Sequence, residues 1–422
     1  GITPGPSIVQ RRGHETRVLF RNIDIPNATS VHLHGNASAP QFDGWADDTT
    51  DRFCYKVYEY PNEQPARTLW YHDHGVHHTA HNAYNGLAGF YITHDANELG
   101  LGIPQGRYDV PLMIKDAMFA SDGSLLFDDH SHSSLMGDVI LVNGVPWPRM
   151  KVERRKYRFR ILNAGISRSF ELSLSTGEPF EVIATDGGLM PRPQRVTKMR
   201  VGMAERYEIV IDFAGYRPGQ RVVLRNVHLK NNTPEPNTDK VMAFDIVDRE
   251  ANPHNNRVPA RLTRHNEVMD LTEADVTRRQ PRRMELVRQG GEWTINGRTW
   301  RDRECFADVQ YDAVEVWELV NKSGGWFHPL HIHLIDFKIL DRNRRPPHPY
   351  ELGPKDVAYI GEGESVRVIA RFNRQRGKYM VHCHNLVHED HDMMTFFEVG
   401  RGGPDPMSVR DRPWPPRTNP LR

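Results

Sequence analysis

Residues 314–321 read Val314-Glu-Val-Trp-Glu-Leu-Val-Asn321, and ten residues past the asparagine stands His331-Ile-His333. The alternation is that of a strand with one buried face. The unit occurs twice more. Tyr157-Arg-Phe-Arg-Ile-Leu-Asn163 leads after ten residues to Ser173-Leu-Ser175, and Arg17-Val-Leu-Phe-Arg-Asn22 leads after ten to His32-Leu-His34. The closing asparagines, at 22, 163 and 321, are 141 and 158 residues apart, one domain each. Segments such as Arg206–Phe213 and Ser365–Phe372 alternate in the same way, with Pro, Gly and Asn between them, and helix-period patterns are scarce. The chain therefore reads as all-β, built of sandwiches or barrels.

Boundaries follow from composition. A Gly/Pro-rich stretch lies near 94–107 and a polar, charged one between 248 and 283. The expected domains are 1–100, 101–260 and 261–422. The tail after Gly400 carries six prolines and reads as an irregular surface arm. The middle repeat has serines where the outer two have histidines, so the outer domains are expected to share a site and the middle one to act as a spacer.

With 55 Lys+Arg against 54 Asp+Glu in 422 residues, the net charge of +1 excludes a nucleic-acid binder of the usual basic kind. No apolar run is long enough for a membrane-spanning helix. Three cysteines do not make a disulfide scaffold. The unusual number is 22 histidines.

Eight of these form four pairs: His32/His34, His72/His74, His331/His333 and His382/His384. Residues i and i+2 of a strand face the same way, so each pair presents two imidazoles to one side. Eight imidazoles at one interface cannot all stay charged, and neutral imidazole is the commonest metal ligand. One zinc ion needs four ligands at most, so a cluster of metals is the economical reading, and imidazole-rich sites with few carboxylates suit copper. The last pair carries a second signal. Cys383 stands between its histidines and faces the other way, with His388 and Met393 downstream and His328 just before the third pair. Two His, one Cys and a weak axial Met make a blue electron-transfer copper site.

At this point the sequence resembles a known family. His328-Pro-Leu-His-Ile-His333 and the run from His382-Cys-His384 to Met393 are similar to the signatures of the multicopper oxidases, in particular of the bilirubin oxidases and laccases. Phe42–Ala46, Thr68–His74, Asn82–Tyr84, Lys156–Arg160, Asn237–Met242 and Trp326 also match, so the resemblance covers nearly the whole chain. It implies three cupredoxin-like Greek-key β-sandwich domains and four copper ions. A type 1 copper would take His328, Cys383, His388 and Met393. Between the first and third domains, a type 2 copper would take His32 and His331. One type 3 copper would take His34, His72 and His384, the other His74, His333 and His382. The implied activity is O2 reduction to water, coupled to one-electron oxidation of phenols, aminophenols or tetrapyrroles. By the same resemblance Asp43 and Glu389 supply protons (or only orient ligand histidines), Trp326 belongs to the donor surface, and Asn385 tunes the type 1 site. Rival readings are a cuprous or other metal-ion oxidase, against which the dispersed methionines speak, and a non-catalytic copper-binding coat protein.

Other expectations are simpler. His77, His78 and His81 are read as surface residues, and His130 and His132 as solvated. Cys54 and Cys305 are either paired or free. Sequons at Asn27, Asn36, Asn231 and Asn321 give weak support for a secreted, extracellular protein, with Asn36 too near a ligand to be reached. The resemblance places several dozen residues, including the first strands, ahead of the segment like Thr3–Ile8. The first sandwich is then expected to be trimmed, stripped of an edge strand, or completed by a missing segment or a second chain.

Overall fold

The structure, a computed structural model, describes residues 2–249 and 252–415. It is an all-β protein of three two-sheet units. In the first, the sheet holding strands Ile8–Arg11, Ala88–His94, Arg67–Asp73 and Val31–His34 faces a sheet of Thr16–Asn22 and Cys54–Tyr60. In the second, a seven-stranded and a five-stranded sheet enclose a core that includes Phe159, Ile161, Phe213 and Phe244. In the third, two five-stranded sheets enclose Trp317, Phe337 and Val381. Each unit contains a parallel pair: Ile8–Arg11 with Ala88–His94, Asp109–Ala117 with Lys156–Asn163, and Arg282–Gln289 with Val314–Asn321. Parallel neighbours need a crossover connection, so these are not simple meanders.

The repeated asparagines explain why the repeat exists. Asn22, Asn163 and Asn321 are all buried. Each donates its side-chain amide to the carbonyl five residues on: Asn27 at 2.9 Å, Arg168 at 2.9 Å and Trp326 at 2.9 Å. Each also donates to a second segment, at Thr50, Val201 and Gly361 respectively. A strand leaving the sheet exposes carbonyls that must find donors, and the asparagine supplies them while pinning the turn. Buried Asn36 and Asn321 are therefore not glycosylation sites.

The tail departs from the expected irregular arm. Arg412–Pro413 is a short strand antiparallel to Cys54–Tyr60, extending the smaller sheet of the first unit to three strands. The Trp414 N–H donates to Phe53 O at 2.7 Å, its ring meets Tyr55 edge-on, and the Arg21 guanidinium lies over it. Proline composition suggested no strand, but Pro413 sits at a sheet edge, where its missing N–H is tolerated. Pro416 and Pro420 lie outside the described residues. Cys54 and Cys305 are both free thiols.

Candidate metal centre

Strand register brings the histidine pairs together. Val31–His34 pairs with Arg67–Asp73 so that His32 lies opposite His72. His328–Ile332 pairs with Gly377–Cys383 so that His331 lies opposite His382. The two strand pairs meet through their histidines, His32 against His331 and His74 against His382, and all eight imidazoles are buried. They fall into compact groups: His34, His72 and His384; His74, His333 and His382; and His32 with His331. Within them, His74 Nε2 and His333 Nε2 each lie 3.1 Å from His382 Nε2, and His32 Nε2 lies 3.4 Å from His331 Nε2.

The outer nitrogens show what the inner ones can do. His32 Nδ1–H donates to Asp43 O, His72 Nδ1–H to Asp73 O and His331 Nδ1–H to Asp356 O, at 2.5, 2.7 and 2.8 Å. A carbonyl only accepts, so these nitrogens carry the proton and the other nitrogen of each ring is a bare lone pair. His32 and His331 therefore aim two lone pairs at each other. His34 Nδ1, His72 Nε2 and both nitrogens of His384 are buried with no partner at all. Unpartnered buried acceptors are costly, and convergent ones repel; a cation removes both penalties. Burial, and then neighbouring imidazoles, push His32, His34, His331, His333 and His384 well below the usual histidine pKa. His72 is lowered to about 3 and His74 to about 4, again mainly by burial. These rings are neutral and ready to ligate.

Carboxylates hold the rings from outside. Asp43 Oδ2 lies 2.8 Å from His333 Nδ1, and Glu389 lies 2.8 Å from His382 Nδ1 and 3.4 Å from His74 Nδ1. Asp356 Oδ1 is 3.0 Å from His34 Nε2 and is held by the Arg206 guanidinium. Burial raises the Asp43 carboxyl well above the usual range. Burial would raise Glu389 too, but His382 and His74 beside it pull it down to about 2.

Beyond this cluster, Cys383 Sγ lies 3.3 Å from His328 Nδ1 and 3.7 Å from His388 Nδ1, and the two nitrogens are 3.3 Å apart. His388 Nε2–H donates to Ser133 O, leaving Nδ1 as a lone pair toward the sulfur. His328 Nε2 contacts Ser323 Oγ at 3.0 Å. Met393 is buried in the same core cluster as Cys383, and its carbonyl accepts from the Cys383 N–H. The Asn385 N–H points at Sγ from 3.4 Å. Burial pushes the Cys383 thiol up, so a thiolate here requires a cation. Trp326, half-buried, meets the His388 ring edge-on with centroids 5.5 Å apart.

Three family models described as multicopper oxidase match residues 1–98, 111–244 and 263–403. The chain belongs to the multicopper oxidase family. Such enzymes are copper-dependent oxidoreductases that use O2, and they bind one type 1, one type 2 and two type 3 copper ions; the groups above offer donors of the right kind, imidazole-rich with one thiolate. This multicopper oxidase is 45% identical over 419 residues to the bilirubin oxidase of Albifimbria verrucaria, covering 94% of this chain and 72% of the relative. It is 33% identical over 465 residues to the laccase of Bacillus subtilis, covering 94% and 89%. Among solved structures, the McoA multicopper oxidase of Aquifex aeolicus superposes with a TM-score of 0.87 at 30% identity, covering 94% and 89%.

Sequence reasoning missed several supporting residues. Trp293 is fully buried and stacks on His388, centroids 3.7 Å apart, and Arg288 lies over both Trp293 and Trp326. Asp356 and Arg206 were missed too, as were Ser133 and Ser323. None carries a local mark of its partner, not even Arg206 at the head of an alternating strand; each acts across the fold. The middle region supplies none of the copper-ligand histidines assigned from the sequence, yet Ser133 and Arg206 come from it. His77 and His78 are exposed and His81 is half-buried.

Proposed function

We propose that this multicopper oxidase couples one-electron oxidation of phenols, aminophenols or tetrapyrroles to four-electron reduction of O2 to water. We assign a type 1 site to His328, Cys383, His388 and Met393. We assign a type 2 site to His32 and His331, one type 3 site to His34, His72 and His384, and the other to His74, His333 and His382. Copper held by these residues would supply the redox chemistry: one-electron oxidation of donors at the type 1 site and four-electron reduction of O2 at the cluster. The observation that carries this reading is Cys383, whose sulfur belongs to one group while its chain neighbours His382 and His384 belong to two others.

The remaining work falls to the chain itself. Trp293, fully buried, backs His388, and half-buried Trp326 beside both offers the aromatic surface on which a donor docks without reaching the metal. Arg288, cationic and over both rings, favours donors bearing carboxylates. Burial of all ten histidines excludes bulk water. Water formation also consumes protons, and two buried carboxyl groups, Asp43 and Glu389, stand against the cluster histidines to supply them. Asp43 holds a proton at Oδ1, which has no partner. Glu389 lies against the outer nitrogens of His74 and His382, its two oxygens buried without hydrogen-bond partners, and relays protons from there. On the half-buried sequons Asn27 and Asn231 we place the protein outside the cell; glycopeptide mapping after production in a secreting host tests it, and two bare asparagines count against it.

Oxygen uptake by copper-loaded protein, with bilirubin and a methoxyphenol at matched concentration, is the test. Faster uptake with bilirubin is expected from Arg288 and the tryptophan face. Faster uptake with the phenol makes the enzyme laccase-like. A blue protein that consumes no O2 with either overturns the oxidase reading.

A further inference from the structure

A second group of metal-binding side chains lies outside the copper sites. Asp129 and His132 belong to the loop after the second unit's first strand, and His391 caps the short helix Leu386–Asp390 that carries His388. Asp129 Oδ2 lies 3.0 Å from His132 Nδ1 and 3.3 Å from His391 Nε2. The two rings approach to 3.5 Å between centroids. Consecutive left-handed residues His130, Ser131 and His132, at φ of 48°, 58° and 70°, turn the chain sharply at this point. Non-glycine residues rarely adopt that conformation, and three in a row need surrounding contacts to hold them. Side-chain exposures of 59% for His132, 31% for His391 and 25% for Asp129 leave room for water ligands.

We propose that Asp129, His132 and His391 form a fifth metal site, for a divalent first-row cation of the zinc kind, on the outer face of the type 1 centre. The donor set is two imidazoles and a carboxylate, a combination that binds zinc with water completing the shell. A tetrahedral ion with bonds of about 2.0–2.1 Å separates its ligand atoms by about 3.3–3.4 Å, close to the 3.0 and 3.3 Å from Asp129 to the two rings. The backbone joins this site to the type 1 centre. The His132 carbonyl accepts from Trp293 Nε1 at 2.9 Å, and the next carbonyl, Ser133 O, accepts from His388 Nε2 at 2.9 Å. An ion gripping His132 and His391 clamps that loop against the helix bearing His388. Its positive charge at the rim also disfavours the oxidised type 1 state, so the type 1 potential rises when the site fills. The coupling to His388 rests on the copper assignment above; binding at the three residues does not.

Zn(II) is a suitable probe because it is redox-silent. Titrating copper-loaded protein calorimetrically is expected to show one bound ion that is lost in His132→Ala, His391→Ala and Asp129→Asn. His130→Ala serves as the control: its ring lies 3.5 Å from Asp128 and takes no part in the site, so binding survives. Unaltered Zn(II) binding in the three variants, or no binding to the parent protein, overturns the site. This comparison between variants reads binding even in protein that fails to turn blue, a failure that would count against the copper assignment instead. In blue protein, Zn(II) is expected to raise the type 1 midpoint potential, and the rise is absent in His132→Ala. Binding without any rise overturns the coupling while leaving the site.

Discussion

At the scale of single residues, function depends on which atom of each side chain faces the metal groups. Cys383 is the clearest case. Replacing it with serine removes the thiolate donor of the type 1 set while leaving His382 and His384 in place. Cys383→Ser is expected to be colourless and to oxidise donors only at background rate, yet to retain the cluster's share of copper by metal analysis. A blue Cys383→Ser protein would sink the assignment. Asp43 makes a different prediction. Its carboxyl keeps its proton to a higher pH than an ordinary one, because burial penalises the anion. A rate that needs this proton holds at low pH and falls as pH rises through the raised pKa. Asp43→Asn, which cannot give the proton, is expected to be slower by roughly 10²–10⁴-fold and to lose that alkaline limb. An unchanged pH profile in the variant would reduce Asp43 to orienting His333. The histidine pairs were legible in the sequence because i, i+2 alternation is a local rule. Trp293 and Asp356 were not, since they reach His388 and His34 from distant segments.

At the scale of elements, register does the assembling. His32 lies opposite His72 and His331 opposite His382 because turns and buried faces set each pairing, and a slip of one residue would turn every ligand away. The tail strand is the element that composition concealed. It covers the edge of Cys54–Tyr60, and an uncovered edge is prone to pairing with other chains. Ending the chain after Arg410 removes the Trp414 N–H bond to Phe53 and the contacts of Trp414 with Tyr55 and Arg21. The expected cost is about 1–3 kcal/mol from one or two hydrogen bonds and an aromatic pair. Amide exchange in Cys54–Tyr60 should then quicken while exchange in the third unit stays unchanged. Equal protection in both proteins would show that the tail stabilises nothing.

At the scale of the whole molecule, the ligand histidines are a stability liability until metal binds. Nine of them have pKa values lowered by burial. Unfolded, they take up protons below about pH 6.5; folded, they stay neutral down to their lowered values. The unfolded state thus binds more protons throughout that window, and stability falls as pH drops through it. Each histidine contributes up to about 1.4 kcal/mol per pH unit, so the loss in metal-free protein should be steep. Urea midpoints measured between about pH 7.5 and pH 5.5 check this, and a flat profile would contradict neutral burial. The sequence by itself determined the all-β class, the repeat and the faces of the paired histidines, since strand periodicity and turn chemistry are local. The tertiary structure alone decided which imidazoles share a group in space, which carbonyl fixes each tautomer, that Arg206 and Ser133 reach the metal groups from the middle unit, and that the tail returns to the first. Those outcomes depend on packing between residues far apart in the chain, and no local pattern marks the partner.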